Sequence, residues 1–439
     1  MTLLPDGAVL EAAGASPVTL AYRDLAVLAV EGGVGLVAAG EGSGGARWLL
    51  ERFGPGLGPL VAALRDGRLR QRLTDGLVRL PDGEQLELVE AALPGEASGG
   101  TFIGQLALHR WGLVLAPLDE RRPWIRLRRA GIGPVEPLEH IGGLRIRQAD
   151  GDVVVDLLRL GAAAVRHRAR IEALRDGAAL DAGRLVGALL PDLPFGPRSR
   201  AAGLLVDGRP VGPGELGDAF PAVETAVLGE PVFAESYAAL VERAGGPSSA
   251  PRWLALAPED PGSDVAKAWF FVALPGNLVA MELVTSGAHA TYCFRVVPRS
   301  RYGGGPPDVD VAGAVVAELS GALVDLRFLR EPIALPTARL ATPAGLRYRL
   351  AIAALPSLAA ARGRFVARLV HRDAASWGAA LDDLVTWHGA CRDDAAAWPG
   401  RAAQEAEFDE AAGVATAAGG ERPAAPGGVD RPVAPDPST

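Results

Sequence analysis

The chain has 439 residues, of which 49% are apolar and 22% are charged, and its formal net charge is -8. This length and composition exclude a disordered polypeptide and allow several domains, each with its own buried core. Two cysteines, Cys293 and Cys391, are too few for a disulfide framework or a four-thiolate zinc site. No apolar run reaches about 18 residues and the segment 1–16 has no basic residue, so we expect no membrane-spanning helix, no secretory signal and a cytoplasmic protein.

The first patterned segment joins a hairpin to a glycine cluster. The stretch LAVLAVEGGVGLVAA at 25–39 predicts two strands and a tight turn, and a helix-like stretch lies at 46–54. Between them, Gly40, Gly42 and Gly45 have the spacing G-x-G-x-x-G of a dinucleotide-binding turn. Such a turn needs a first strand that leads through a helix to a parallel strand. Since the strand here is the return arm of a hairpin, we predict a connecting loop and no bound cofactor.

A short motif then occurs twice at one offset. The segment ALRDG lies at 63–67 and 173–177, and LPD lies at 80–82 and 190–192. The stretch LRIRQADGDVVVDLL at 144–158 predicts a second hairpin, with Asp-Gly as its two-residue turn. The sequence therefore predicts one unit, a hairpin followed by a helix, in two copies.

More strands precede the second hairpin, and their pattern places them at 102–109, 111–118 and 123–130. In the last of these, Ile125 and Leu127 are expected to face the core. Arg126 and Arg128 are expected to face solvent, because successive side chains on a strand point to opposite faces.

Residues 10–192 are predicted to contain two tandem units, each of antiparallel strands closed by one C-terminal amphipathic helix. This pattern resembles the pleckstrin-homology-like fold in its bacterial form. The resemblance implies binding and scaffolding modules with proteins as the expected partners. It implies no reaction, since the modules of that fold share no catalytic residue.

The later chain changes character. A Gly/Pro-rich connector with one helix is expected first, then four strands within 253–298 and helices at 311–330, 346–371 and 376–392. The predicted fold class is α+β, with two antiparallel sheet units each closed by an amphipathic helix, a connector, a third α+β region and a disordered tail. We assign these five parts to 1–95, 96–194, 195–250, 251–398 and 399–439.

Catalytic signatures are absent from the sequence, which has no G-x-S-x-G, H-E-x-x-H or G-K-[ST] motif. His289 and Cys293 could form a base and thiol pair, but on the expected strand they stand about 13 Å apart. His388 and Cys391 could supply two metal ligands, which do not make a site. We therefore predict no metal and no catalytic group.

The other histidines have expected structural roles. His109 ends a strand beside a tryptophan and His140 lies in a loop, so both are expected to be structural. His167 stands among arginines on a helix and is expected at the surface with a lowered pKa.

One charged segment is a candidate anion-binding site. The stretch DERRPWIRLRR at 119–129 contains five arginines around one tryptophan. The candidate residues are Arg121, Arg122, Trp124, Arg126 and Arg128. Such a patch could contact phosphate, acidic lipid or nucleic acid, or it could be a solvated strand face whose arginines pair with nearby acids.

The leading hypothesis is a non-catalytic binding or scaffold protein with protein partners. One alternative is an enzyme whose site uses some of His289, Tyr292, Cys293 and His371. The other is a binder of anionic lipid or nucleic acid through 121–129.

Overall fold

The computed structural model describes the following residues: 2–4, 7–11, 16–22, 25–30, 33–38, 47–51, 54–75, 87–93, 100–119, 122, 124–149, 151–229, 231–284, 289–342 and 345–406. Helices and antiparallel sheets are both abundant, which confirms the α+β class. Within the described residues, no helix is both long and apolar enough to cross a membrane.

The strands, in chain order, are β1 Thr2–Leu4, β2 Gly7–Leu10, β3 Val18–Ala21, β4 Leu25–Val30, β5 Gly33–Ala38, β6 Arg47–Glu51, β7 Glu87–Ala92, β8 Thr101–His109, β9 Gly112–Pro117, β10 Ile125–Arg128, β11 Ile132–Leu138, β12 Gly143–Gln148, β13 Val153–Leu158, β14 Arg252–Pro258, β15 Ala266–Leu274, β16 Leu278–Val284, β17 Ala290–Arg295 and β18 Phe365–Val370.

The helices are α1 Leu57–Asp75, α2 Ala163–Leu189, α3 Phe195–Leu204, α4 Pro213–Leu216, α5 Phe220–Val227, α6 Pro231–Arg243, α7 Val309–Asp325, α8 Glu331–Ala334, α9 Thr337–Leu340, α10 Leu346–Ala354, α11 Pro356–Arg364 and α12 Ala374–Ala390.

The chain divides into two compact units. The first comprises Met1–Glu230, Arg252–Phe270 and Gly313–Phe365, and the second comprises Pro231–Pro251, Phe271–Ala312 and Val366–Thr439. The five-part division made from the sequence stays a prediction.

In the first unit, the predicted hairpin at 25–39 is present as β4 and β5, which pair antiparallel. The glycines at 40, 42 and 45 lie outside the described residues. The helix predicted at 46–54 is wrong, because β6 forms there and pairs antiparallel with β5, with Val37 opposite Arg47. Periodicity does not distinguish a strand from a helix in so short an apolar run. Here the edge of β5 offers backbone hydrogen bonds, which favours the strand.

Both ALRDG segments lie inside helices, in α1 and α2. A hairpin precedes each helix, but β6 intervenes only before α1. In addition, β4 and β5 belong to a three-stranded sheet, whereas β12 and β13 belong to a seven-stranded one. The common origin of the two segments stays a prediction.

The seven-stranded sheet is antiparallel, and two runs of consecutive strands, β7 to β10 and β11 to β13, are joined in it by the pairing of β7 with β13. Its strand order is β10-β9-β8-β7-β13-β12-β11, so the first strand, β7, pairs with the last, β13. Strands β8, β9 and β10 confirm the three strands predicted before the second hairpin. Helix α2 follows and packs on β11 and β12, where Ile171 enters the core of the sheet.

Arg126 does not face solvent as predicted. Its side chain is 14% exposed, and its Nε lies 3.6 Å from Oδ1 of Asp325 at the end of α7. Arg128 meets the same helix, since a Cβ on Gly321 would lie 2.8 Å from its Nη2. A helix thus covers the strand face that alternation assigned to water.

The connector contains more helix than predicted. Helices α3, α4, α5 and α6 lie within 195–243, where one helix was expected. Proline stands in the first turn of α4, α5 and α6, a position where its missing N–H is not needed. The density of Gly and Pro therefore marks the breaks between short helices.

In the second unit, β16 and β17 confirm two predicted strands and pair antiparallel, with Met281 opposite Tyr292. Strand β18 is the next strand of that sheet, and its end lies beside the start of β17, because His371 N donates to His289 O. The helix predicted over 346–371 is wrong at β18, where Val366–Val370 are all buried. Helix α12 confirms the helix predicted at 376–392.

The start of the predicted tail is helical. Residues 401–406 are helical, and Oε1 of Gln404 accepts a hydrogen bond from Val370 N at 2.9 Å. Disorder from 399 onward is therefore wrong for these residues. The rest of the predicted tail, 407–439, lies outside the described residues.

Candidate functional site

A polar cluster lies inside the otherwise apolar core of the second unit. Strand β16 carries Glu282, β17 carries Thr291, and His371 directly follows β18. Helix α6 adds Ser236 and α12 adds Trp377. These residues are separated by up to 141 positions in the sequence and meet through the pairing of β16, β17 and β18.

Glu282 is the centre of this cluster and is only 2% exposed. Ser236 Oγ donates to its Oε2 at 3.0 Å, and the hydroxyl of Thr291 donates to its Oε1. His371 Nε2 lies 3.1 Å from the same Oε1. A buried carboxylate is stable only when such partners replace water, and Glu282 has three.

The surrounding bonds determine which nitrogen of His371 carries a proton. The single hydroxyl proton of Thr291 goes to Glu282, and Trp377 Nε1 donates to Thr291 Oγ1 at 3.0 Å. His371 Nε2 lies 2.9 Å from that same Oγ1. It therefore faces two acceptors and must be a donor. In the neutral ring Nδ1 then carries the lone pair, and in the charged ring Nδ1 carries a second proton.

Aromatic packing holds the imidazole in place. The rings of His371 and Trp377 stack with centroids 4.7 Å apart and an interplanar angle of 29°. The guanidinium of Arg243 lies 5.8 Å from the Trp377 ring and pairs with both carboxylate oxygens of Asp382, at 2.6 and 3.1 Å. Gly378 leaves room for that guanidinium, because a Cβ there would lie 2.9 Å from Arg243 Nη2.

The cluster forms the wall of a cavity of about 200 Å³. One side is a face of α6 that includes Ser236, Ala239 and Arg243. The other side is the junction of β18 and α12, from His371 to Ala374, together with Trp377. The His371 side chain keeps 13% of its surface exposed, and its Nδ1 makes no hydrogen bond among the described residues.

Two acidic residues also line this cavity. Asp373 caps α12, since its carboxylate accepts from Ser376 N at 2.8 Å and from Ser376 Oγ at 2.6 Å. These hydrogen bonds lower the pKa of Asp373. Glu235 is exposed on α6. The lining thus holds two carboxylates together with the guanidinium groups of Arg243 and Arg372 and the imidazole of His371.

The residues named for the enzyme alternative divide into two groups. His371 lies in the cavity wall. Cys293 is fully buried, and burial, with a smaller effect of Glu282, raises the pKa of its thiol, which disfavours the thiolate. Tyr292 is 2% exposed, and the His289 ring meets Phe233 edge-on with centroids 4.7 Å apart.

The predicted metal-ligand pair has other contacts. His388 is buried and its Nδ1 lies 2.7 Å from Gly276 O, and burial lowers the pKa of the ring to about 4. Cys391 Sγ lies 3.4 Å from Arg299 Nη1. Among the described residues, no group of three or more His, Cys, Asp or Glu side chains is arranged to hold a metal.

His167 does not lie at the surface as predicted. It is 2% exposed where a surface position was expected, and its Nε2 lies 3.0 Å from Glu87 Oε2. Burial is the main cause that lowers its pKa, with Arg166 and Arg170 adding to it. Burial also lowers the pKa of His109 to about 3, whereas His140 is exposed.

The candidate anion patch is dispersed over several local environments. Arg121 lies outside the described residues. The Arg122 guanidinium lies 5.2 Å from the Phe102 ring, and Trp124 packs on the apolar cluster that contains Leu69 and Leu73. Arg126 and Arg128 meet α7 as described above. Arg126 and Arg128 of this segment therefore contact other residues of the first unit.

Sequence reasoning missed Glu282, although a signal for it exists. It is the only charged residue in the buried run LVAMELV, where an isolated carboxylate requires partners. Comparison with known proteins adds no family: no protein-family model matches the chain, and a search of curated proteins finds no similar sequence.

Proposed function

We propose that this is a cytoplasmic, non-catalytic ligand-binding protein whose recognition site is the cavity beside His371. The first unit supplies a scaffold, and residues 87–189 are its pleckstrin-homology-like module. Seven antiparallel strands in one sheet, followed by a single long helix, support that assignment.

One observation carries the proposal. Among the described residues, every polar side-chain group of the buried cluster has a hydrogen-bond partner except Nδ1 of His371, whose ring lines the cavity. A carboxylate that orients an imidazole in this way prepares it to meet a ligand.

Binding is favoured over covalent catalysis by the state of the nearby nucleophiles. The hydroxyls of Ser236 and Thr291 both donate to Glu282, and the thiol of Cys293 is buried. Thr291 and Cys293 are fully buried and do not line the cavity, and Ser236, which lines it, is only 5% exposed, so these groups have little access to a bound molecule.

The experiment compares two tryptophan substitutions on α6. Ala239→Trp fills the cavity, whereas Ala238→Trp places the same side chain at an exposed position one residue away. A chemically diverse set of small molecules is screened by thermal shift against the wild type and both variants. We expect compounds that raise the Tm of the wild type and of Ala238→Trp and leave Ala239→Trp unchanged.

Two results would overturn this function. Compounds that stabilise all three proteins equally would place the site elsewhere, and a screen without any stabilising compound would remove the site. Each stabilising compound is also followed by NMR in the presence of the protein. Its conversion into a product would show an enzyme.

A further inference from the structure

We infer that the cavity binds a compact oxyanion, a carboxylate or a phosphate group, through His371. This inference rests on the proposed function and adds the chemical class of the ligand.

Glu282 is a buried carboxylate whose charge needs a partner. Within the described part of the chain its one salt-bridge partner is His371, with Nε2 3.1 Å from Oε1. The hydroxyls of Ser236 and Thr291 both donate a hydrogen bond to this carboxylate, an arrangement that suits its ionised form. A buried carboxylate without a cation is costly. Among the described residues, His371 is the side chain placed to supply this cation, with its Nε2 next to the Glu282 carboxylate.

The geometry then sets the direction of the second proton. Nε2–H of His371 is directed to Glu282 and Thr291, so an imidazolium has only Nδ1–H left to donate. The ring lines the cavity, and charge-assisted hydrogen bonds of this kind are the stronger ones. An oxyanion in the cavity satisfies this donor.

Two arginines and two acidic residues line the cavity beside His371. From α6, Arg243 and Glu235 face the cavity, and after β18 Arg372 and Asp373 do. The carboxylate of Asp373 is engaged by Ser376, and Glu235 is exposed. Asp382, the partner of Arg243, is not among the lining residues.

The size of the cavity limits the ligand. Its volume of about 200 Å³ lies below the range of roughly 300–1,000 Å³ that drug-sized ligands occupy. A group of a few heavy atoms fits, such as the terminal carboxylate or phosphate of a small molecule.

The test uses probes of matched shape with the full chain. Acetate and inorganic phosphate are titrated at constant ionic strength, with acetamide as the neutral analogue of acetate and methylammonium as the cation. Thermal shift and NMR report binding to the wild type, to His371→Gln and Arg243→Gln, and to Arg198→Gln, a partly exposed control in the first unit. Circular dichroism verifies that each variant is folded.

We expect at least one oxyanion to bind about tenfold or more tightly than acetamide or methylammonium, as a charge-assisted bond requires. Both cavity variants should lose this difference, and Arg198→Gln should keep it. Should His371→Gln fail to fold, Arg243→Gln decides the outcome.

Three results would overturn the inference. The first is that acetate and acetamide bind equally well. The second is that neither cavity variant weakens oxyanion binding, and the third is that the protein binds other compounds of the screen in this cavity but binds no oxyanion. The third result leaves the proposed function intact, whereas an empty screen removes both.

Discussion

Gly67 and Gly177 occupy the same place in the two ALRDG segments, each in the interior of a long helix. Replacing each with alanine is a matched pair of substitutions. In an exposed helix interior, Gly→Ala stabilises by roughly 0.5–1 kcal/mol, because glycine loses more backbone freedom on folding.

The two sites differ in what the new methyl group meets. At Gly67 a Cβ would lie 2.5 Å from Cζ and 2.6 Å from Cε2 of Tyr22, a ring that is 3% exposed. At Gly177 the nearest atom is Arg129 Nη1, at 3.9 Å. The Tyr22 ring must shift in a packed core, and such overpacking costs about 1–3 kcal/mol.

Urea unfolding at neutral pH measures the difference. We expect Gly177→Ala to raise the free energy of unfolding by about 0.5–1 kcal/mol. Gly67→Ala should lower it by roughly 1–2 kcal/mol, the overpacking cost less the gain in helix propensity. Equal effects, or a more stable Gly67→Ala protein, would refute this packing of Tyr22 on α1.

Two further predictions concern buried charge and acid stability. Arg129 Nη1 lies 2.8 Å from Asp181, and Nη2 lies 2.5 Å from Asp207, whose side chain is 1% exposed. Arg129→Met should therefore lower the free energy of unfolding by about 3–5 kcal/mol in urea, and a loss below about 1 kcal/mol would contradict a buried triad. His388, with its pKa lowered to about 4, is neutral when folded and binds a proton when unfolded below about pH 6.5. The contribution of neutral His388 to the free energy of unfolding is complete above that pH. It is lost as pH falls toward 4, by up to about 1.4 kcal/mol per pH unit. The free energy of unfolding in urea, measured between pH 8 and 4.5, should fall less steeply with pH for His388→Asn than for the wild type. Identical pH dependence would exclude His388 as the source of this loss of stability.

Local patterns predicted much of the sheet structure. The hairpin of β4 and β5, strands β8 to β10 and helix α12 each follow from an alternating or periodic run. Strands β6 and β18 were missed because each is a short apolar run, and a partner strand decides its conformation.

Charge patterns were less informative than the packing that surrounds them. Arginines beside His167 suggested a surface position, but one face of α2 turns the ring to Glu87 on β7. Arg126 fits an alternating strand, yet α7 supplies Asp325 on the face expected to be in water. In both cases an element distant in the sequence determines the environment.

The candidate site was predicted only in part. His371 was among the residues considered for an enzyme, but Glu282 and Trp377 were not connected to it. They come from β16 and α12, and only the sheet and the helix packed on it bring these groups within hydrogen-bond distance.

The most direct test of the ligand site is the pair of ring-nitrogen NMR signals of His371, in protein labelled with 15N-histidine and assigned with His371→Gln. In the free protein we predict that Nε2 carries a proton. On addition of the compound that stabilises the wild type most, we predict that the Nδ1 signal shifts while Nε2 keeps its proton. A neutral ring protonated on Nδ1, or signals that do not change at saturation, would contradict a ligand site at this cavity.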